Sequence, residues 1–189
     1  MRILTRMKIL VGSILLIVTI GYQIYSSDWF QKKYVYPFPY QEIVYRYALD
    51  RELDPFLIAG VIRAESKFNI KAKSPKGALG LMQLMPETAR WVAEQMENQD
   101  FNTKQLEDPE LNISMGTWYL GSLKKEFKSN EVLMLAAYNG GRGNVKQWMA
   151  QYGWTMSFVE DEKIPFRETR EYVNRVLDNK KRYQELYGR

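Results

Sequence analysis

Glu65 follows a run of apolar residues spaced for one face of a helix. Ile58, Val61 and Ile62 precede it at three- and four-residue intervals, which puts its carboxyl at an apolar boundary near the helix C-terminus. Burial and the negative end of the helix dipole both disfavour a carboxylate, so both favour an acid still protonated near neutral pH. Such an acid suits a reaction in which an alkoxide-like leaving oxygen must receive a proton, as when a glycosidic bond breaks. Ser74, Gln83, Tyr138, Asn139 and Tyr172 follow along the chain and offer neutral donors and acceptors matched to sugar hydroxyls and N-acetyl groups. Each also has a plain structural use, as a turn residue, a cap, or a core aromatic with a wet tip.

The 189-residue sequence contains no cysteine and no histidine. Disulfides, thiolate metal sites, cysteine nucleophiles, Ser-His-Asp machinery, most zinc catalysis and haem–histidine ligation are thereby excluded. The acids are not spaced as a calcium loop, and no metal or other cofactor is expected. The net charge of +5 includes Arg2, Arg6 and Lys8, which leaves the remainder only mildly basic. A nucleic-acid binder would concentrate its basic residues on one face among stacking aromatics, so no nucleic acid is expected as a partner. Lys71, Lys73 and Lys76, and the Lys180, Lys181 and Arg182 group, read as solvated surface; weak attraction to an anionic cell-wall polymer is the second reading.

The elements that must position these residues are helical in period. Residues 40–50 form a first amphipathic segment. Asp54-Pro55 and Asp108-Pro109 are start signals for helices over 55–66 and 109–127. Pro86 opens another to about Met96, Asn130 caps 131–139 ahead of Gly140-Gly141, and 143–150 and 167–187 complete the set. Residues 67–85 and 151–165 read as loops. In 109–127 the buried stripe is Ile113, Gly116, Leu120, Leu123 and Phe127, with Gly116 expected to let another backbone approach. No strand of convincing alternation is present. The fold class is therefore mostly α, one compact domain of about seven helices over 40–189.

Ahead of it, the sequence from Ile9 to Ser27 carries no charge. As a helix it reaches about 28 Å, close to a hydrocarbon core. An uncleaved single transmembrane helix (1–27) is preferred over a cleaved signal, for which only Thr19 and Gly21 offer small residues at a cut, and over a buried globular helix. The basic residues before the span keep the N-terminus cytoplasmic and put the domain outside the cell membrane. Residues 28–39 read as a connector that Pro37 and Pro39 hold extended, with Trp29, Phe30 and Tyr34 at the headgroups or packed on the domain.

Four blocks stand in order along the chain: A64-E65-S66-K67-F68-N69; S74-P75-K76-G77-A78-L79-G80-L81-M82-Q83-L84-M85-P86-E87-T88-A89; A136-A137-Y138-N139-G140-G141; and E168-T169-R170-E171-Y172-V173. Together they resemble the catalytic domain of Slt-type lytic murein transglycosylases, a family with a lysozyme-like fold related to goose-type lysozyme. The resemblance covers about residues 40–187. It implies that Glu65 is the sole catalytic acid and base, that Tyr138 orients it or stabilises the transition state, and that Ser74 hydrogen-bonds near the glutamate or substrate. It further implies that Gln83 and Met85 flank the reacting sugar and that Asn139 and Tyr172 belong to the substrate-binding motifs. Gly141 stands where alanine is frequent and Ile70 where proline is frequent, which changes loop stiffness and removes no reacting group.

The resemblance also implies a substrate, peptidoglycan glycan strands, and a non-hydrolytic cut that ends in a 1,6-anhydro sugar. No obvious second carboxylate accompanies Glu65: Glu87 reads as a helix-start residue, and Glu168 and Glu171 as solvated or paired with arginine. A hydrolytic muramidase using Asp161 or Glu162 as its base, and a glycan-binding membrane module without turnover, are the alternative readings.

Overall fold

Asp54, Asp108 and Asn130 start three helices with their own side chains. They accept hydrogen bonds from the backbone N–H of Phe56 (2.8 Å), Leu111 (2.8 Å) and Leu133 (2.9 Å) respectively. Pro55 and Pro109 take the first helical position, where no N–H is needed. The computed structural model describes residues 2–188. Met1 and Arg189, at the outer ends of the expected anchor and domain, lie outside the described residues, as do the side chains of residues 2–5, 8 and 9.

The helices are α1 (Arg2–Ser26), α2 (Asp28–Phe30), α3 (Gln41–Asp50), α4 (Pro55–Ser66), α5 (Pro86–Gln95), α6 (Pro109–Glu126), α7 (Glu131–Gly140), α8 (Arg142–Tyr152) and α9 (Arg167–Tyr187). A π-helical turn occupies Gln31–Val35, and 3-10 turns occupy Thr103–Glu107 and Asp161–Lys163. Among the described residues there is no sheet. Two isolated bridges, Lys73 to Leu79 and Leu79 to Leu84, pin the loop between α4 and α5. The protein is thus mostly α-helical, as its periodicity leads one to expect.

α4 runs through the centre, with every residue from Leu57 to Ile62 buried. It packs along α9, whose Tyr172, Val173, Val176 and Tyr183 are buried against it and its neighbours. The close approach needs Gly60, since a Cβ there would lie 2.8 Å from the Val176 carbonyl oxygen. The α6 stripe of Ile113, Gly116, Leu120, Leu123 and Phe127 is buried as expected. Gly116, however, makes room for the side chain of Met82 and not for a backbone. Its smallness admits the loop that follows α4.

The connector differs from expectation. Helical backbone continues to Val35, and only then does the chain extend through Pro37 and Pro39. A proline restrains itself and the residue before it, so it has no hold on Asp28–Val35. Gln31 is buried there, and its amide donates to the Tyr25 carbonyl (2.7 Å). Beyond it, the Tyr187 and Tyr183 hydroxyls donate to the carbonyls of Tyr36 (2.8 Å) and Pro37 (2.9 Å), and Phe38 enters the core. The end of the connector is thereby fastened to α9. Trp29 and Tyr34 are exposed and meet edge to face, with ring centroids 5.9 Å apart.

The apolar side chains of α1 from Leu10 to Tyr25 are exposed. No single helix among the described residues is long and apolar enough to cross a membrane. Leu10–Ser26 and Asp28–Val35, bent by 57°, meet the length and composition together.

Candidate active site

Glu65 occupies the last turn of α4, half-buried, one residue before that helix leaves the core. The chain turns sharply after it. Lys67 and Phe68 both adopt left-handed backbone (φ 51° and 64°), which costs about 1 kcal/mol or more each, and burial of Phe68 in the aromatic core holds the turn. The loop that follows is folded by its own polar groups. Ser74 Oγ accepts from the Ala78 N–H (3.0 Å), and the Gln83 amide donates to the carbonyls of Ala72 (3.0 Å) and Gly80 (2.9 Å). Gln83 is itself left-handed (φ 47°).

Asn112 of α6 fixes this loop from below. It is fully buried; its Oδ1 accepts from the Met82 N–H (2.8 Å), and its Nδ2 donates to the carbonyls of Leu79 (3.1 Å) and Leu106 (2.9 Å). The Met82 carbonyl in turn accepts from the Tyr138 hydroxyl (2.8 Å), which ties the loop to the end of α7. Nothing near Asn112 in sequence marks it, because its partners lie up to 33 residues away.

The result is a cleft lined by Glu65, Ser74, Gln83, Met85, Tyr138 and Asn139, together with Lys76 and Glu168. Six of the seven expected site residues meet there. Tyr172 does not line it: at 1% exposure its hydroxyl lies buried beside the Glu65 carboxyl, makes no hydrogen bond of standard geometry, and still favours the carboxylate. Glu168 was expected to be solvated or paired with arginine. It is exposed, but it borders the cleft and pairs with Lys76 (3.7 Å) from the opposite wall. Lys76 itself is solvated, as expected, whereas Lys180 departs from the surface reading: its side chain is largely buried and clasps Asp54 (3.2 Å) and Glu131 (2.6 Å). Asp161 and Glu162 sit in a 3-10 turn outside the cleft lining.

Burial raises the Glu65 pKa to about 7, against the opposing pull of the Tyr172 hydroxyl and the Arg175 charge. Burial also drives the Tyr138 and Tyr172 hydroxyls well above the ordinary range, and a charge on Glu65 adds to this. The cleft therefore holds one carboxyl poised to exchange a proton near neutrality, with hydroxyls that stay protonated and neutral amides around it.

Known proteins share this arrangement of chain. A family model, the transglycosylase SLT domain, matches residues 42–158. The soluble lytic murein transglycosylase of Escherichia coli (strain K12) is 37% identical over 155 residues, 81% of this chain and 24% of that protein. Membrane-bound lytic murein transglycosylase C of Edwardsiella ictaluri is 29% identical over 175 residues, 78% of this chain and 47% of that one. The crystal structure of the 70-kDa soluble lytic transglycosylase of Escherichia coli matches with a TM-score of 0.77 at 35% identity, over 85% of this chain and 26% of that chain. An inactive glutamate-to-glutamine mutant of lytic transglycosylase Slt from Pseudomonas aeruginosa gives 0.73 at 35%, over 83% and 26%. This chain thus spans about a quarter of the length of those soluble relatives. The family match takes in α4 to α8, nearly all of α3 and the first three sequence blocks, and the chain belongs to the transglycosylase SLT domain family.

Proposed function

We propose that this chain cuts the β-1,4 bond between N-acetylmuramic acid and N-acetylglucosamine in peptidoglycan without consuming water. The observation that carries the reading is the half-buried Glu65 in a cleft whose remaining polar lining is neutral apart from the exposed Lys76–Glu168 pair. Protonated Glu65 gives its proton to the glycosidic oxygen as the bond to C1 breaks. The N-acetyl carbonyl oxygen of the muramic residue closes on C1 as an oxazolinium. Glu65, now a carboxylate, takes the proton of the C6 hydroxyl while O6 attacks C1 and expels the amide oxygen. A 1,6-anhydro end forms, Glu65 regains its proton, and the atoms balance with no other reactant. In this scheme Tyr138 holds the loop wall and faces the sugar, Ser74, Gln83, Met85 and Asn139 contact it, and Tyr172 positions and tunes Glu65 from behind. The inactive Pseudomonas mutant fits a mechanism that depends on one glutamate.

Glu168 supports a second reading, hydrolysis, because it is another carboxylate on the cleft wall. Digestion of purified murein by the full chain in water enriched in ¹⁸O separates the two. The lyase gives fragments one water lighter than ordinary reducing ends and free of ¹⁸O; fragments carrying ¹⁸O would reject it.

The titration of Glu65 sets the pH dependence. The first step needs the acid form, so turnover falls as pH rises through about 7. The Tyr172 hydroxyl lowers this pKa. Tyr172→Phe is expected to move the alkaline limb to higher pH, read from a kcat/KM profile. A limb that stays in place would remove Tyr172 from the tuning role.

Residues 1–27 serve in this reading as an uncleaved membrane anchor, with the N-terminus in the cytoplasm and residues 40–189 facing the cell wall. The exposed apolar surface of α1 and the basic residues Arg2, Arg6 and Lys8 ahead of it support this. Both soluble and membrane-bound relatives exist.

A further inference from the structure

The ring of Tyr138 belongs to a series that leads out of the cleft. Its centroid is 5.4 Å from that of Tyr119 on α6; Tyr119 is 6.2 Å from Trp91 on α5, and Trp91 is 5.4 Å from Trp118. α5 begins directly after cleft-lining Met85, so Trp91 stands about a turn and a half along a helix that starts at the cleft. Arg142 arrives from the other wall, opening α8 three residues after Asn139. Its guanidinium lies 5.3 Å from the centre of the Trp91 ring. Its Nε meets Glu126 at 2.7 Å, while Lys146 holds the second oxygen of that carboxylate at 2.6 Å.

The exposure pattern separates this cluster from ordinary core. Trp91 and Trp118 are half-buried, Glu126 is 16% exposed and Arg142 is 40% exposed. A guanidinium braced by an acid on one side and a ring on the other, yet open to solvent, has little freedom left to lose when an anion binds. A half-buried indole beside it presents a flat apolar surface of the kind that takes the C–H face of a sugar. We propose that Trp91 and Arg142 form a distal subsite of the cleft: Trp91 receives a sugar ring of the bound strand some way from the cut, and Arg142 pairs with a carboxylate of that sugar's peptide stem. The inference rests on reading the cleft as a glycan-cutting site. It adds a preference for long strands that bear acidic stems.

The test is calorimetric titration of the full chain, in detergent and carrying Glu65→Gln so that ligands survive. The probes are murein tetrasaccharide and octasaccharide, each with and without peptide stems. Arg142→Gln is expected to weaken the stem-bearing octasaccharide about tenfold, the loss of one charge-assisted pair, and to leave the stem-free octasaccharide unchanged. Trp91→Leu should weaken both octasaccharides and neither tetrasaccharide. Equal effects on tetrasaccharide and octasaccharide, or none on either, would overturn the subsite and return the cluster to packing. Failure of the parent protein to bind any of the four probes would instead overturn the reading of the cleft, and the subsite with it.

Discussion

Glu65→Gln is expected to lower murein cleavage roughly a thousandfold and at the same time to stabilise the protein at alkaline pH. The two effects share one cause. The folded protein raises this carboxyl from 4.5 to about 7 because burial penalises its charge. Between those values the native state holds a proton that the unfolded chain releases, so stability falls as pH rises through the window, and the whole penalty is present above about 7. A shift of that size corresponds to about 3 kcal/mol. Glutamine keeps the shape and carries no charge at any pH. The variant should match the wild type in urea unfolding near pH 4.5 and exceed it by up to about 3 kcal/mol at pH 8. Release of soluble fragments from murein reads the activity. Equal stability of the two proteins at both pH values would contradict the buried-acid account even if activity were lost.

Asn112→Leu is expected to cost about 4 kcal/mol and most of the activity, although Asn112 is not among the cleft-lining residues. The substitution is close in volume, so the loss is one of hydrogen bonds. The Met82 N–H and the Leu106 carbonyl would lose their side-chain partner in a buried place, and the half-buried Leu79 carbonyl would keep only the Leu84 N–H. The strand of loop they hold carries Gln83 and supplies the carbonyl that anchors Tyr138. Urea unfolding measures the first effect and fragment release the second. A cost below 1 kcal/mol with full activity would show that the loop is held by other means.

Helix starts were legible in the sequence because their chemistry is local. An acid or asparagine accepts a hydrogen bond two or three residues on, and a proline fills the first position, so Asp54, Asp108 and Asn130 read directly. The apolar face ending in Glu65 was legible for the same reason, since its spacing encodes its direction. Residues 31–35 and 103–107 were not. Each is a single short turn with no apolar period; the second is closed by a capping box between Asn102 and Gln105 that is too brief to stand out. Gly116 signalled closeness but not what came close. Asn112, the place of Glu168 on the cleft wall, and the meeting of Trp91 with Arg142 depend on contacts between distant segments. Asn112 in a helix has many uses, and only the folded loop selects one.

The account turns on the protonation of one side chain, and that is directly measurable. Carbon-13 NMR of the full chain with labelled glutamate, compared with Glu65→Gln to identify the missing resonance, follows the Glu65 carboxyl from pH 3 to pH 9. We expect a midpoint near 7, far above the 4.5 of an unperturbed glutamate. A midpoint at or below 4.5 would mean that the cleft holds a carboxylate under working conditions, and the proton relay proposed for Glu65 would have no acid to begin it.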